Sequence, residues 1–236
     1  MDSTQAKEAF LAAHHFRHAC KLFDTDRQIA SEDLDFILEC ARLSPSSFGM
    51  QGWRLHIITD ATLKASIKKA CWNQPQVESC SHLFVFTTRT ADLVPGSDWV
   101  KSRFADRQMP AEAQQSYYDR YAGFHTDLKE RIEGFFQRQI TGLFYRLFHK
   151  KRAPKDLYQW GARQCYIVLG NTMSAAAAIG IDSCPIEGMD KNALEQILGV
   201  DTEREEVAVL CAFGYRAQAG QPPRRRLPAP ELICFH

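Results

Sequence analysis

Two long apolar runs constrain the fold of this 236-residue chain more than any other feature of its sequence. The run HLFVFTT at His82–Thr88 is apolar enough to predict a buried strand that is covered by helices. A second run, EVAVLCAFGY at Glu206–Tyr215, predicts the last strand. Trp53–Thr59 has the alternating pattern of another strand, and residues 179–183 are also strand-like. Because helical stretches separate these strands, the chain is assigned to the α/β or α+β class, with the strand order left open.

The first well-marked helix is predicted to begin with a side-chain cap at Ser31. Glu32 and Asp33 follow it, and apolar residues then repeat at i, i+3, i+4 and i+7 until the helix ends at Ser44 and Pro45. Three further helical stretches are predicted at 61–70, at 98–152 and at 156–179. We interpret about 98–152 as a helical insertion or lid, while a plain solvated helical hairpin explains its composition equally well. Small residues in the middle of 156–179 would allow another backbone to approach closely, although helix propensity alone also accounts for its alanines.

Length and charge exclude several classes of protein. We expect residues 1–236 to form a single domain, because a chain of this length can bury a large core. The formal net charge of +1 gives no general attraction to nucleic acid or to a membrane surface. No segment approaches the roughly 20 apolar residues that cross a bilayer, and the N-terminal residues do not resemble a secretory signal. We therefore expect a cytoplasmic protein.

The cysteines and clustered histidines do not predict a metal site. The eight cysteines show no C-x-x-C spacing, so we expect reduced thiols that are mostly buried. Structural zinc requires four converging ligands, which usually have short spacings along the chain. His14, His15 and His18 lie close together at an expected helix end, where a surface or capping role suffices.

No G-x-G-x-x-G, P-loop, H-E-x-x-H or G-x-S-x-G motif is present, which argues against a Rossmann dehydrogenase and a serine hydrolase. Four weaker clusters remain, at 17–24, 44–53, 184–188 and 224–228. Each has a simple structural explanation by itself. The first is a solvated face, the second and third are turns, and the fourth is a solvent-facing arginine run, although guanidinium groups also suit phosphate oxygens. For the third turn, an unusual backbone angle would explain Gly188.

Taken in order, the segments RHACK, PSSFGMQGW, WNQPQV, PIEG and RRRLP resemble the nitroreductase family, in its oxygen-insensitive bacterial NAD(P)H branch. The resemblance covers almost the whole chain, and the helix at 156–179 resembles the central dimer helix of the family. It implies an α+β nitroreductase-like fold, with a central, mostly antiparallel sheet flanked by helices. It also implies an intertwined homodimer that holds FMN at its interface.

The resemblance assigns roles to individual residues. Arg17, Arg224 and Arg226 would bind the FMN phosphate through charge-assisted bonds. Lys21 would lie at the pyrimidine edge of the flavin and assist catalysis electrostatically. The remaining flavin contacts would be His18, Ala19, Asn73 and Gln76; Pro45, Ser46, Ser47 and Gly49 from the other subunit; and Pro185, Ile186, Glu187 and Gly188. Substrate contacts would be Phe48, Trp72, Tyr121 and Phe124, with simple lid packing as the alternative.

Four positions depart from the family pattern. Ala19 replaces serine, Gly49 replaces asparagine, Gly52 replaces proline, and Gln76 stands where a lysine often lies near the ring. The two lost side-chain bonds could weaken FMN binding by roughly 1 kcal/mol each. Without a cation at Gln76, we expect a lower reduction potential.

The implied activity is that of an FMN-dependent NAD(P)H oxidoreductase. It would reduce nitroaromatics, quinones or similar small acceptors by a ping-pong hydride mechanism, in which the flavin performs the chemistry. Alternatives on the same fold are a flavin reductase, a dehalogenase or a flavin-binding redox sensor with little turnover. A nucleic-acid binder that uses the arginines at 224–226 is a third reading, against which the near-zero net charge argues.

Overall fold

A four-stranded antiparallel sheet lies at the centre of the computed structural model, which describes residues 2–125 and 155–236. The strands follow the order β1-β2-β4-β3, and each neighbouring pair is antiparallel. Their bounds are Trp53–Ile58 for β1, His82–Thr88 for β2, Asp182–Ile186 for β3 and Glu206–Gly214 for β4. This arrangement confirms the α+β class and the antiparallel sheet.

Helices precede, separate and follow the strands. In the described ranges they are α1 Ser3–Phe16, α2 Ser31–Arg42, α3 Ala61–Ala70, α4 Pro75–Ser79, α5 Asp98–Ala105, α6 Ala111–Phe124, α7 Lys155–Ala178, α8 Lys191–Leu198 and α9 Ala229–Leu232. A short 3₁₀ turn at Ser47–Gly49 lies between α2 and β1. None of the described helices is long and apolar enough to cross a bilayer.

The two central strands are buried on both faces, which explains their continuous apolar sequences. Since successive side chains of a strand point to opposite faces, Phe84 and Phe86 pack with Val168 of α7 on one face. Leu83 and Val85 join a separate cluster on the other face. Helices thus cover both sides of β2, as its sequence predicted.

Several predicted elements have the observed bounds, whereas the helix cap at Ser31 and the strand at 179–183 were predicted wrongly. The predicted strand at His82–Thr88 and the predicted helix at Ala61–Ala70 match the observed bounds. The predicted cap at Ser31 is wrong, because Ser31 is the first helical residue and the N-cap residue, Ala30, has no side-chain bond. Helices α5 and α6 occupy the first part of the predicted lid, and its remainder at 126–152 lies outside the described residues.

The strand predicted at 179–183 lies further along the chain, at Asp182–Ile186. Gly180 has a φ of +77° in the turn that ends α7, so the strand cannot begin there. Pro185 therefore belongs to a strand rather than to a turn. This position is compatible with proline because β3 is an edge strand, where a missing N–H does not break a ladder on both sides.

All eight cysteines are free in the structure, and six of them are buried, which confirms the expectation that they are mostly buried. In the part of the chain that the structure describes, no group of three or more potential ligands could hold a metal ion.

Gly161 is needed because α7 passes very close to β2. A Cβ atom at this position would lie 1.8 Å from Thr88 Oγ1. We expect Gly161→Ala to lower the free energy of unfolding by about 1–3 kcal/mol, as overpacking does. Urea denaturation measures this change. Gly123→Ala is the matched control, since a Cβ there meets nothing within 4 Å, and equal stability of the two variants would contradict the prediction.

Candidate functional site

Two of the loops predicted for the site have unusual backbone conformations. Among the described residues, the non-glycine residues with positive φ are Phe48 at 51°, Gln51 at 46°, Trp72 at 54° and Asn73 at 59°. Such conformations are costly for bulky side chains and occur preferentially at functional sites. Strain in this chain is therefore concentrated in the loops after α2 and after α3.

The loop after α2 is hydrogen-bonded to α5, to Arg107 just after α5, and to α7. Arg107 donates a hydrogen bond to the carbonyl oxygen of Phe48. The Trp99 indole N–H donates to the carbonyl oxygen of Met50 at 2.8 Å. Gln164 of α7 accepts the backbone N–H of Ser47 at 2.8 Å. The conformation of this loop consequently depends on α5 and α7 as well as on its own residues.

The structure explains two of the departures in this loop. Gly49 has a φ of +57°, a left-handed conformation that glycine adopts freely and asparagine tolerates better than most residues. At Gly52, a Cβ atom would lie 2.4 Å from Leu93 Cδ2. Leu93 is fully buried, so proline or any other residue with a Cβ would clash at position 52.

The loop after α3 packs against the PIEG segment. Gln74 Nε2 donates to the carbonyl oxygen of Gly188 at 2.8 Å. A Cβ atom on Gly188 would lie 2.9 Å from the Trp72 ring, whereas positive φ is not found at Gly188. The unusual backbone angle suggested for Gly188 is therefore wrong, and the close approach of Trp72 explains the glycine. Trp72 itself remains 69% exposed, which leaves most of its ring available for contact.

Glu187 is held by a residue that the sequence did not point to. The Tyr166 hydroxyl of α7 donates to Glu187 Oε1 at 2.7 Å. Burial, followed by this hydrogen bond, raises the pKa of Tyr166, so the hydroxyl stays protonated and remains a donor. The side chain of Glu187 is thus oriented from the helix that resembles the dimer helix.

Lys21 and the strand that precedes PIEG are in direct contact. The ammonium Nζ of Lys21 donates to Cys184 Sγ at 3.5 Å. Gln76, which is buried, donates to Gln74 Oε1 at 2.9 Å and lies within hydrogen-bonding reach of Cys184. The predicted site residues Lys21, Gln76 and Gly188 are therefore linked through Gln74 and Cys184.

The C-terminal end of α1 is tied to β3 and to the tail. Asp182 is buried and accepts two hydrogen bonds from the Arg216 guanidinium, at 2.6 and 2.9 Å. Arg224 donates to the carbonyl oxygens of His14 and Arg17, at 2.9 and 3.0 Å. Arginine near a helix C-terminus is stabilising because the exposed carbonyls carry partial negative charge. The structure thus places Arg224 beside Arg17, with its guanidinium engaged by backbone oxygens.

Three cations of the predicted flavin site, Arg17 and Arg226 for the phosphate and Lys21 for the pyrimidine edge, have no acidic partner among the described side chains. No described carboxylate oxygen lies within 4.0 Å of their charged nitrogens. Arg17 is half-buried, so its charge is partly shielded from solvent. An unpaired, partly desolvated guanidinium favours a bound anion.

The predicted aromatic substrate contacts differ in how accessible they are. Tyr121 is fully buried, and its hydroxyl donates to the carbonyl oxygen of Leu93 at 2.5 Å. Phe48 packs on Tyr121 with ring centroids 5.4 Å apart. Phe124, at the end of α6, is 63% exposed. Lid packing therefore accounts for Tyr121, while Phe48 and Phe124 retain exposed surface.

Partly buried histidines should make the protein less stable in mild acid. Burial lowers the pKa of His18, His56 and His82 below the usual value of 6.5. The unfolded chain then binds more protons than the folded chain, so stability is lost as the pH falls through about 6.5 towards the folded pKa values. We expect His82→Gln to flatten the fall in unfolding free energy between pH 7 and 5, measured by urea denaturation. An unchanged slope would contradict this assignment.

Sequence reasoning found most of the segments that meet here but missed the residues that join them. Arg107, Gln74, Cys184 and Tyr166 each bind a predicted site residue, as described above. Gln74 and Cys184 stand within or next to the quoted motifs, so their positions gave a signal. Arg107, which follows α5, and Tyr166 of α7 lie outside the five motifs, and only the structure identifies them.

The described residues thus combine an α+β fold with two loops of positive φ and with three cations, Arg17, Lys21 and Arg226, that have no carboxylate partner among the described side chains. Comparison with known proteins then identifies the family. The model of the Nitroreductase family matches residues 15–215, and the chain belongs to this family.

Individual relatives agree with this assignment. The Bacillus subtilis (strain 168) protein named "Putative NAD(P)H nitroreductase YfkO" is 33% identical over 226 residues, covering 93% of this chain and 94% of the relative. The structure of Bacillus subtilis ydfN superposes with a TM-score of 0.76 at 20% identity, covering 98% of this chain and 100% of that one. A "putative nitroreductase in complex with FMN" from Exiguobacterium sibiricum 255-15 superposes with a TM-score of 0.69 at 24% identity, covering 96% and 97%. The nitroreductase-like fold is therefore confirmed.

Proposed function

We propose that this protein is an FMN-dependent NAD(P)H oxidoreductase that reduces nitroaromatics, quinones or similar small electron acceptors. The observation that carries the proposal is that Arg17, Lys21 and Arg226, on segments that match the family motifs, have no carboxylate partner among the described side chains. A relative of this family has been solved with FMN. The cytoplasm remains our expectation for its location.

The residues present fit FMN chemically. Arg17 and Arg226 provide guanidinium donors for a phosphate dianion, and Arg224 holds the nearby end of α1 in place. Asn73 offers an amide group for the polar edge of the flavin, whereas the buried Gln76 amide donates to Gln74 and supports the site from behind. Pro185, Ile186, Glu187 and Gly188 would support the ring, and Tyr166 and Gln74 hold two of these four residues.

When bound, FMN supplies the redox chemistry by taking a hydride from NAD(P)H and passing two electrons to the acceptor. The chain's part is orientation and electrostatics. Lys21 provides a positive charge where negative charge develops on the flavin pyrimidine, which lowers the barrier without requiring a proton transfer. Trp72, Phe48 and Phe124 offer aromatic surface for nicotinamide or acceptor to stack against.

We further propose that the active form is a homodimer with FMN between the subunits. Several large apolar side chains lie exposed on α1, α7 and the C-terminal tail: Phe10 and Leu11, Tyr166 and Ile167, and Leu227, Leu232, Ile233 and Phe235. Exposed apolar surface of this extent is typical of an interface. In the dimer, Pro45, Ser46, Ser47 and Gly49 of the partner subunit would line the cofactor, together with His18 and Ala19.

The visible spectrum of the purified protein tests the proposal. We expect oxidised-flavin absorption with about one FMN per chain. Under anaerobic conditions NADH or NADPH should bleach this absorption, and nitrofurazone or a quinone should restore it. A colourless, monomeric protein that does not take up added FMN would refute the proposal. A yellow protein that neither nucleotide bleaches would instead favour a flavin-binding sensor.

A further inference from the structure

Lys21 has an unusual partner for a lysine. Its ammonium group donates to Cys184 Sγ at 3.5 Å, and no carboxylate oxygen lies within 4.0 Å among the described residues. The lysine side chain is long and exposed, so without a partner it would sample many rotamers. The contact with sulfur joins it to a residue 163 positions away in the chain.

The position of the Cys184 sulfur is fixed by the fold. Cys184 is fully buried and its backbone is paired with Ala212 of β4, so its position is set by the sheet. Gln76 adds a second polar neighbour, and Gln76 in turn donates to Gln74, which binds the carbonyl oxygen of Gly188. A continuous series of polar contacts therefore runs from Lys21 to the PIEG segment.

A thiol can hold an ammonium group without neutralising it. Burial raises the pKa of Cys184, although the adjacent Lys21 and Gln76 act in the opposite direction. The thiol thus stays neutral near pH 7 and does not cancel the charge of the lysine beside it. A carboxylate at the same place would orient Lys21 equally well but would cancel most of its field.

We propose that Cys184 is a positioning residue that fixes the Lys21 ammonium beside the flavin while leaving its charge uncompensated. This inference rests on the proposed function, because Lys21 acts on a bound flavin. Cys184 is not one of the proposed flavin contacts. It affects the reduction potential of the flavin by holding Lys21 in place. Gln76 contributes by holding the Cys184 thiol. It does not place a second positive charge beside the flavin ring, as a lysine at this position would.

A double-mutant cycle on the FMN-loaded protein tests the proposal, with the flavin midpoint potential as the readout. A cation near the flavin stabilises its anionic reduced form, so Lys21→Met should shift the potential to more negative values. Cys184→Ala should shift it in the same direction, since Lys21 loses its fixed position. In the Lys21→Met background, however, Cys184→Ala should cause no further shift. Cys184→Ser, which keeps a neutral polar partner, should recover most of the wild-type potential.

Cys80→Ala is the matched control for loss of a buried thiol. Cys80 belongs to the same apolar cluster as Cys184, but its sulfur donates to the carbonyl oxygen of Val77 instead. This variant should keep the wild-type potential. Equal shifts from Cys184→Ala with and without Lys21, or no shift from Cys184→Ala while Lys21→Met shifts, would overturn the proposal. Failure of the wild-type protein to bind FMN would instead refute the proposed function, and FMN content measured first separates the two cases.

Discussion

Replacing Asp182 by alanine should lower the free energy of unfolding by about 3–5 kcal/mol, the cost of removing one partner of a buried ion pair. Asp182 is 2% exposed and Arg216 is 18% exposed, so solvent cannot fully replace the lost carboxylate. The carboxylate also accepts the backbone N–H of Arg216 at 3.1 Å. Urea denaturation at one protein concentration measures the loss, since an oligomer gains stability with concentration.

Replacing Asp182 should also weaken the connection between the C-terminal end of α1 and β3. The Arg216 guanidinium stacks over the Phe16 ring at 4.5 Å and donates to the Phe16 carbonyl oxygen, so it joins the end of α1 to β3. Glu39→Ala is the matched control, because it removes a bidentate Arg42 pair that is exposed on α2. It should leave stability almost unchanged. Similar losses of unfolding free energy in Asp182→Ala and Glu39→Ala would show that the buried Asp182–Arg216 pair contributes no more to stability than an exposed pair does.

Replacing Arg17 by alanine should weaken FMN binding by about 10- to 150-fold. This range corresponds to the loss of one hydrogen bond to a charged group, worth about 1.5–3 kcal/mol. Arg17 is half-buried and lacks an acidic partner within the described residues, so its loss strands no buried carboxylate. Thermal unfolding of the apoprotein should consequently change little. Titration of apoprotein with FMN, followed by flavin fluorescence, measures the affinity.

Arg225→Ala provides the control for net charge. It removes the same charge from an exposed residue that lies between Arg224, which binds backbone oxygens at the end of α1, and the proposed phosphate ligand Arg226. Its effect on FMN affinity should be small and should decrease as salt is added. Equal losses of affinity in Arg17→Ala and Arg225→Ala would mean that the site attracts FMN only through its general field, and would remove Arg17 from the phosphate contacts.

Local patterns in the sequence were sufficient for most elements of the fold. Continuous apolar residues located β2 and β4, and helical stretches located α3 and α7 to within one residue at each end. These predictions succeeded because side-chain periodicity depends only on neighbours along the chain. The motifs likewise identified the family, since each motif is local even though five of them span the chain.

Contacts between distant residues required the folded chain. The strand order depends on pairing across the sheet, and the position of β3 depends on where α7 can end at Gly180. Packing against distant side chains explains Gly52 and Gly188, because Leu93 and the Trp72 ring occupy the space of a Cβ. No periodicity encodes such proximity, which arises when separate elements pack on one core.

The contact between Lys21 and Cys184 shows most clearly what the sequence determines and what only the folded chain determines. The residue types and the motifs around them are visible in the sequence, and they indicate a cation near a flavin. Their 3.5 Å separation exists only because the segment after α1 lies against β3, where Ala19 bridges Ser183. The identity of the chemical groups is thus a property of the chain, whereas their partnership is a property of the fold, because loop closure over 163 residues depends on the whole core.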